Sequence, residues 1–362
     1  LYCSNPEKKG IVGFMKKKEI KSMDVDQLKE YLKEELGAQS FRAKQVFQWI
    51  HQKNVNNFDQ MRNVPKDLRQ ELKEKTTLAN FEIEARREAT DGTIKYLFRL
   101  PDGETIESVY LPYSDGRKSI CVSTQVGCAM GCSFCATGQG GLVRHLSTGE
   151  IVEQVYAVQR DLDVKITNLV LMGMGEPLHN MDPSLKAVKI LNHPKGSNIG
   201  MRRITLSTSG LVPQIRELAD ENIQIVLAIS LHAPNNKLRN QLMPINKKYP
   251  LEVLISACRD YIKKTNRRIT FEYALMKGTN DTVKHARQLA QLLQGLLCHV
   301  NLIPINPVQE AGFARPKREE INRFLKILRD AGVEATVREE RGADIEAACG
   351  QLRSRNQEVD PS

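Results

Sequence analysis

The sequence predicts an α/β protein built on an open, partial (β/α) barrel, with a small N-terminal helical domain and a short β-hairpin region ahead of it. Three observations carry this. Strand-like and helix-like stretches alternate from about residue 118 to residue 338. The apolar period between Phe81 and Thr124 is two rather than 3.6, and the period between Asp24 and Thr77 is helical.

In chain order, residues 1–22 are polar and basic, and we read them as a disordered tail. The helical domain spans 23–78. Leu28, Tyr31, Leu32 and Leu36 recur at helical spacing, and Gly37 stops that helix. Val46, Phe47, Trp49 and Ile50 form the apolar side of a second helix, and Pro65 suits the first turn of a third. Its basic faces fit an RNA-gripping accessory or a solvated charged surface. A hairpin linker follows at 79–117, punctuated by Asp91-Gly92, Asp102-Gly103 and Asp115-Gly116, with strands at 81–88, 94–100 and 104–112. The barrel occupies 118–353. Its strands fall at 118–124, 168–172, 203–207, 224–230, 269–273, 300–304 and 334–338, with helices that include 148–160, 251–264, 283–297 and 317–330. That set is one short of a closed eight-stranded barrel, so an open one is expected. Residues 354–362 read as a tail.

Composition narrows the class. Hydrophobic residues at 41% and charged residues at 27% are those of an ordinary globular chain. With no apolar run long enough to span a membrane and no signal-peptide core, we expect a cytoplasmic protein without a membrane partner. Eight cysteines in 362 residues fit metal binding or catalysis better than a secreted disulfide framework. A formal charge of +10 favours a polyanionic partner such as nucleic acid.

The chemistry centres on Cys128-Ala129-Met130-Gly131-Cys132-Ser133-Phe134-Cys135. Three thiols at this spacing can face a common centre. An iron–sulfur cube held by three thiolates keeps one iron open to a small molecule, whereas zinc usually takes a closed set of four ligands. Three ordinary cysteines, or a zinc loop completed from afar, are the other readings. Polar motifs end successive strands: Gly173-Met174-Gly175-Glu176-Pro177, Ser207-Thr208-Ser209-Gly210, Ser230-Leu231-His232 and Asn306-Pro307. The glycines of the first would let a ligand approach the backbone, and Glu176 would accept an ammonium. Cys121 and Cys349 are, on pattern alone, either reactive thiols or buried fillers.

Cys128-X3-Cys132-X2-Cys135 is the hallmark of radical S-adenosylmethionine (SAM) enzymes. Ser123 to Cys128, Gly173 to Pro177, Ser230-Leu231-His232-Ala233-Pro234, Leu242-Met243-Pro244-Ile245-Asn246 and Asp344 to Leu352 closely resemble the RlmN family. Its members are dual-specificity adenosine methyltransferases of 23S rRNA and tRNA. The likeness covers residues 24–353. It implies a radical SAM core in which Cys128, Cys132 and Cys135 hold a [4Fe-4S] cluster. Gly175, Glu176, Ser207, Ser230, Leu231, His232 and Asn306 would contact SAM, consumed twice per turnover. Cys349 would be methylated transiently, Cys121 would resolve the intermediate into a disulfide, and Glu107 would be the general base. A monomer served by an external electron donor of flavodoxin or ferredoxin type is the accompanying expectation.

Such a route suits the target. Carbon 2 of adenine is an electron-poor ring carbon with no lone pair to attack a methyl sulfonium, whereas a thiolate attacks readily. Two alternatives stay open. A Cfr-like enzyme methylates the same rRNA adenosine at carbon 8 with the same catalytic set; Val126-Gly127 before Cys128 and Pro177 after Glu176 favour carbon 2. A non-enzymatic RNA-binding protein with a structural metal is the other.

Overall fold

The computed structural model describes residues 17–306 and 312–352. The chain opens with β1 (Lys18–Glu19), then α1 (Val25–Leu36), α2 (Phe41–His51) and α3 (Lys66–Lys75), and returns as β2 (Thr76–Thr77), parallel to β1. Asp24 starts α1 by accepting hydrogen bonds from the Asp26 and Gln27 amides, and Gln27 answers in a capping box. Gly37, at φ +59°, ends it in the left-handed conformation that glycine adopts freely. Leu28, Leu32, Val46, Phe47, Ile50, Leu68 and Leu72 fill the interior of this unit.

Residues 18–22 are therefore ordered, which corrects that part of the tail expected over 1–22; residues 1–16 and the tail expected over 354–362 lie outside the described residues. Ile20 and Lys21 are fully buried. The reason is a charge that sequence cannot pair. Lys21 meets Glu153, on the next long helix, in a wholly buried ion pair that Arg160 shares. Burial lowers the Lys21 pKa and the Glu153 carboxylate opposes that shift. Asn54 donates to the Tyr156 carbonyl at 2.9 Å and accepts from Arg160 at 2.6 Å, so the helical unit is polar-locked onto the rest. Lys21→Met leaves Glu153 with Arg160 alone. We expect a loss of about 3 kcal/mol, the low end for breaking a buried pair, read by urea unfolding; a loss under ~1 kcal/mol would show that Arg160 suffices.

Four antiparallel-linked strands follow: β3 (Glu82–Glu88), β4 (Ile94–Arg99), β5 (Thr105–Pro112) and β6 (Lys118–Cys121). The chain then leaves the sheet for β7 (Gln125–Gly127), the cysteine loop, the short α4 (Ala136–Gln139) and β8 (Leu142–His145), which pairs antiparallel with β7. Next come α5 (Thr148–Leu162), β9 (Asn168–Leu171), α6 (Met181–Asn192), β10 (Ile204–Thr208), α7 (Val212–Asp220), β11 (Val226–Ser230), α8 (Asn236–Leu242) and α9 (Leu251–Thr265). The chain closes with β12 (Ile269–Leu275), α10 (Val283–Leu293), β13 (Cys298–Pro304), α11 (Arg318–Asp330) and β14 (Ala335–Val337).

Among the described residues one ten-stranded sheet runs β14-β13-β12-β11-β10-β9-β6-β5-β4-β3. Its seven strands from β14 to β6 are parallel, the number expected for an open barrel, and β14 and β3 stand at free ends. The hairpin strands extend this same sheet through β5 and β6, so 79–117 is no separate linker. The strand expected over 118–124 is broken at Cys121. Val122 still donates to the Val170 carbonyl at 2.9 Å, but from Gln125 the backbone turns away to pair with β8.

Parallel strands bring all their C-terminal ends to one rim, and helices cover the outer face. Leu169, Leu206, Leu227, Ile229, Phe271, Val300 and Leu302 are fully buried, so the sheet's interior is packed and the open rim carries the polar residues. No helix among the described residues is long and apolar enough to cross a membrane.

Candidate active site at the strand ends

The rim holds a cleft of about 960 Å³, counting its solvent-open mouth. Cys128, Cys132 and Cys135 line one side of it. Gly175 and Glu176 after β9, Ser207 on β10, Ser230 and His232 at the end of β11, Asn306 after β13 and Cys349 line the rest. A smaller adjoining cleft is lined by Cys121, Val109, Leu111, Tyr113 and Arg341, and it shares Asn306, Arg338 and Cys349 with the first. Cys349 thus stands in the wall between the two, with Cys121 on the far side from the cysteine loop.

The cysteine loop is shaped by contacts distant in sequence. The Cys128 amide donates to the Gly141 carbonyl at 2.7 Å, and Ser133 donates to the Leu242 carbonyl at 3.0 Å. Gly127 sits at φ +74°, and a β-carbon there would meet the Gly141 oxygen at 2.0 Å. Gly127→Ala must therefore push the β7–β8 ribbon apart next to Cys128. After anaerobic reconstitution we expect its iron content at or below about half that of the parent, a displaced thiolate binding cluster iron poorly; equal iron would contradict this.

Glycines 173 and 175 line the cleft and also let the chain close on itself. A β-carbon on Gly173 would lie 2.7 Å from the Val122 carbonyl group, and one on Gly175 (φ +106°) 2.7 Å from Gln125. They let the β9 loop press against the segment that delivers the cysteines. Gln125 fixes that contact by accepting from the Glu176 amide at 2.8 Å. Its side-chain amide also lies within hydrogen-bond distance of His145 and His179, so His145 belongs to this scaffold.

Glu176 is buried, and its carboxylate accepts from the Leu178 amide at 3.1 Å and the Ser209 amide at 2.7 Å, one on each oxygen. Burial raises its pKa; those amides pull it back. His232 accepts on Nδ1 from the Ala274 amide at 2.9 Å, which places its proton on Nε2. Burial, then Arg239, pushes its pKa down to about 3, so it is neutral and a hydrogen-bond donor. The hydroxyls of Ser207 and Ser230 lie 3.4 Å apart. Asn306 Oδ1 is buried without a hydrogen-bond partner among the described residues. Pro307 lies outside them.

Two expected site residues stand off the cleft walls. Leu231 is fully buried in the core. Glu107 lies on the face of β5 that also presents Val109 and Leu111, and Val109 pairs with Cys121. Its carboxylate is 3.3 Å from Lys95 Nζ, deep in the sheet.

Several side chains that sequence reasoning passed over build the site. Fully buried Arg239 donates to the carbonyls of Ser209, Ser230 and Leu231 and to Asn246 Oδ1, which ties the β10 and β11 loops together. Asn246 thereby explains part of the Leu242–Asn246 motif. Lys95 donates to the Glu346 carbonyl at 3.2 Å and joins the Glu107 strand to the Cys349 loop. Asp91 accepts from the Gly342 amide at 3.1 Å and Asp344 from the Thr90 amide at 3.0 Å, which ties the β3–β4 turn to the same loop. From the other side, Ala136 donates to the Gly350 carbonyl at 2.8 Å and Thr137 to the Leu352 carbonyl at 2.5 Å. Arg338 donates to Cys349 Sγ at 3.4 Å. No local pattern signals these links; the charged run Arg338-Glu339-Glu340-Arg341 reads as solvated surface.

The residues fit the groups that the cysteine motif implies. Among the described residues no three His, Cys, Asp or Glu side chains converge on a single-ion site. A four-iron cube takes one thiolate on each of three irons and keeps the fourth open, and the three cysteines line one side of the cleft. Cys132 feels both neighbours: burial, then Cys135 and Cys128, raises its pKa, a cost that a cationic centre removes. Beyond the thiols, Glu176 presents a carboxylate to an ammonium, and Asn306 Oδ1 calls for a donor. Phe134, Ala274, Ile303 and Ile305 line an apolar surface suited to a nucleoside.

Comparison with known proteins agrees. Residues 122–290 match the radical SAM superfamily, and residues 18–78 match the ribosomal RNA large subunit methyltransferase N-terminal domain. A probable dual-specificity RNA methyltransferase RlmN of Alkaliphilus oremlandii is 54% identical over 343 residues, 94% of this chain and 99% of that one. Its counterpart in Staphylococcus carnosus is 49% identical over 95% of both. The crystal structure of a radical SAM methyltransferase from Sphaerobacter thermophilus superposes with a TM-score of 0.90 at 49% identity, covering 93% of this chain and 100% of that one.

Proposed function

From the premise that this chain belongs to the RlmN family of radical SAM, dual-specificity rRNA and tRNA methyltransferases, we propose that it methylates carbon 2 of adenosine by way of a methyl group carried on Cys349. The observation that carries the reading is the place of Cys349 in the wall shared by the two clefts, with the three cysteines on one side and Cys121 on the other. A [4Fe-4S] cluster and SAM, when bound, supply the methyl group and the radical chemistry that an unactivated ring carbon needs.

The chain's own residues do the rest. Cys128, Cys132 and Cys135 hold the cluster. Gly175, Glu176, Ser207, Ser230, His232 and Asn306 surround SAM, Glu176 taking its ammonium, and Leu231 acts through its backbone, whose carbonyl Arg239 holds at 3.1 Å. The Cys349 sulfur accepts a methyl group as a nucleophile. Glu107 removes the carbon-2 proton, with Lys95 orienting its carboxylate. The Cys121 thiolate attacks the Cys349 sulfur, the sulfur–carbon bond breaks with its pair going to the carbon, which takes a proton, and the methylated RNA leaves behind a Cys121–Cys349 disulfide for an external reductant.

The substrates are RNA: the peptidyl transferase centre adenosine of 23S rRNA and the adenosine beside the tRNA anticodon. The helical unit at 18–78 grips them, and a base buried in folded RNA must be extruded to reach the clefts. We place the protein in the reducing cytoplasm as a monomer served by a flavodoxin or ferredoxin type donor. Cysteines 121, 128, 132, 135, 258, 298 and 349 are free thiols here, consistent with that compartment. Mass spectrometry of RNA digested after anaerobic reaction tests the assignment: 2-methyladenosine supports it, and 8-methyladenosine alone overturns it.

A further inference from the structure

We propose that Arg338 is a catalytic group of the methyl-acceptor step, its guanidinium holding the Cys349 sulfur as an anionic acceptor and fixing it between the two clefts. This rests on the reading that Cys349 carries the methyl group. Arg338 follows β14, and its backbone amide donates to the Leu302 carbonyl at 2.8 Å, so the side chain is launched from the sheet itself. Its Nη1 reaches Cys349 Sγ at 3.4 Å and Met172 Sδ at 4.0 Å. The guanidinium lines both clefts.

Glu339, Glu340 and Arg341 line the second cleft with it, and Glu272 lines the first. Cys349 and then Glu272 hold the guanidinium protonated, with smaller help from Tyr113 and Cys121. Glu272 is buried in the first cleft, and Asn301 donates to its Oε2 at 2.8 Å. One permanent cation therefore touches the sulfur that must react and is favoured by a buried carboxylate. Guanidinium does not give up its proton in a protein, so it cannot quench a thiolate by protonating it. It can only donate hydrogen bonds, which an anionic sulfur accepts strongly and a thioether weakly.

The step balances on that basis. Cys349 loses its thiol proton to solvent and gives an electron pair to the methyl carbon. A sulfur–carbon bond forms, the methyl–sulfonium bond of SAM breaks with its pair going to the departing sulfur, and Cys349 becomes a neutral thioether. Its hold on Arg338 then weakens, so the same contact that readies the thiolate releases the methylated side chain for the next step.

Iodoacetamide, applied anaerobically to the reconstituted full chain and followed at the Cys349 peptide by mass spectrometry, tests the proposal. Arg338→Met is expected to slow Cys349 alkylation at least about tenfold, and Arg338→Lys to recover part of the loss. The double variant Arg338→Met/Glu272→Gln removes the partner charge as well, leaves no uncompensated buried carboxylate, and is expected to be as slow as the single one. Alkylation as fast in the double variant as in the parent, at equal iron content, overturns the proposal. A loss that lysine does not reverse at all overturns it too, since it marks a defect of shape. Labelling needs neither SAM nor RNA. Methyl transfer by a Cys349→Ala protein would thus refute the carrier role and leave the labelling result standing.

Discussion

Cys349→Ala is expected to keep its iron–sulfur cluster and to lose RNA methylation by at least about 10³-fold, as removal of a covalent nucleophile does elsewhere. The structure separates the two properties. Cluster iron is expected to depend on Cys128, Cys132 and Cys135, whose loop is set by the β7–β8 ribbon and by the Leu242 carbonyl. The Cys349 loop meets that assembly through the Ala136 amide, which donates to the Gly350 carbonyl, and the Thr137 hydroxyl, which donates to the Leu352 carbonyl, and neither bond uses the Cys349 side chain. Its sulfur meets Arg338 instead. Iron and sulfide analysis beside a labelled-methyl assay checks both halves. Substantial residual methylation would remove the covalent step.

Cys121→Ala is expected to turn a catalyst into a trap. With no resolving thiol the enzyme stays joined through Cys349 to the RNA, visible as a band of protein plus RNA on a denaturing gel, and multiple turnover falls by at least about 10³-fold. Burial, and next the neighbouring Cys349, pushes the Cys121 thiol up to about 12. Below that pH it is mainly the unreactive thiol, and its thiolate fraction rises about tenfold per pH unit. Product release in the parent enzyme should therefore accelerate from pH 6 to pH 9. A release rate indifferent to pH, or a Cys121→Ala enzyme that turns over without an adduct, would assign resolution to another group.

Local signals carried much of this site. The cysteine spacing, the glycine- and serine-rich strand ends and the seven parallel strands are all short-range or periodic features, and the rim of a parallel barrel brings them together by geometry. Charges that act across the fold carried no such signal. Lys21 reads as one more basic residue of a polar N-terminus, yet it is buried against Glu153 more than a hundred residues on. Arg239 and Arg338 look like ordinary surface arginines, and only the folded chain shows the carbonyls and the sulfur that they serve. The glycines of the 173–175 motif were legible as a close approach to a ligand, but not as the packing point of Val122–Gln125, which they also admit.

The decisive point is whether the methyl group passes through Cys349. Reconstituted enzyme is incubated anaerobically with methyl-labelled SAM, without RNA, and its peptides are resolved by mass spectrometry. RNA and reductant are then added with an excess of unlabelled SAM. The account predicts one labelled methyl group on the peptide bearing Cys349, chased into adenosine in the second stage. An unlabelled Cys349 peptide in an enzyme that goes on to methylate RNA would contradict it.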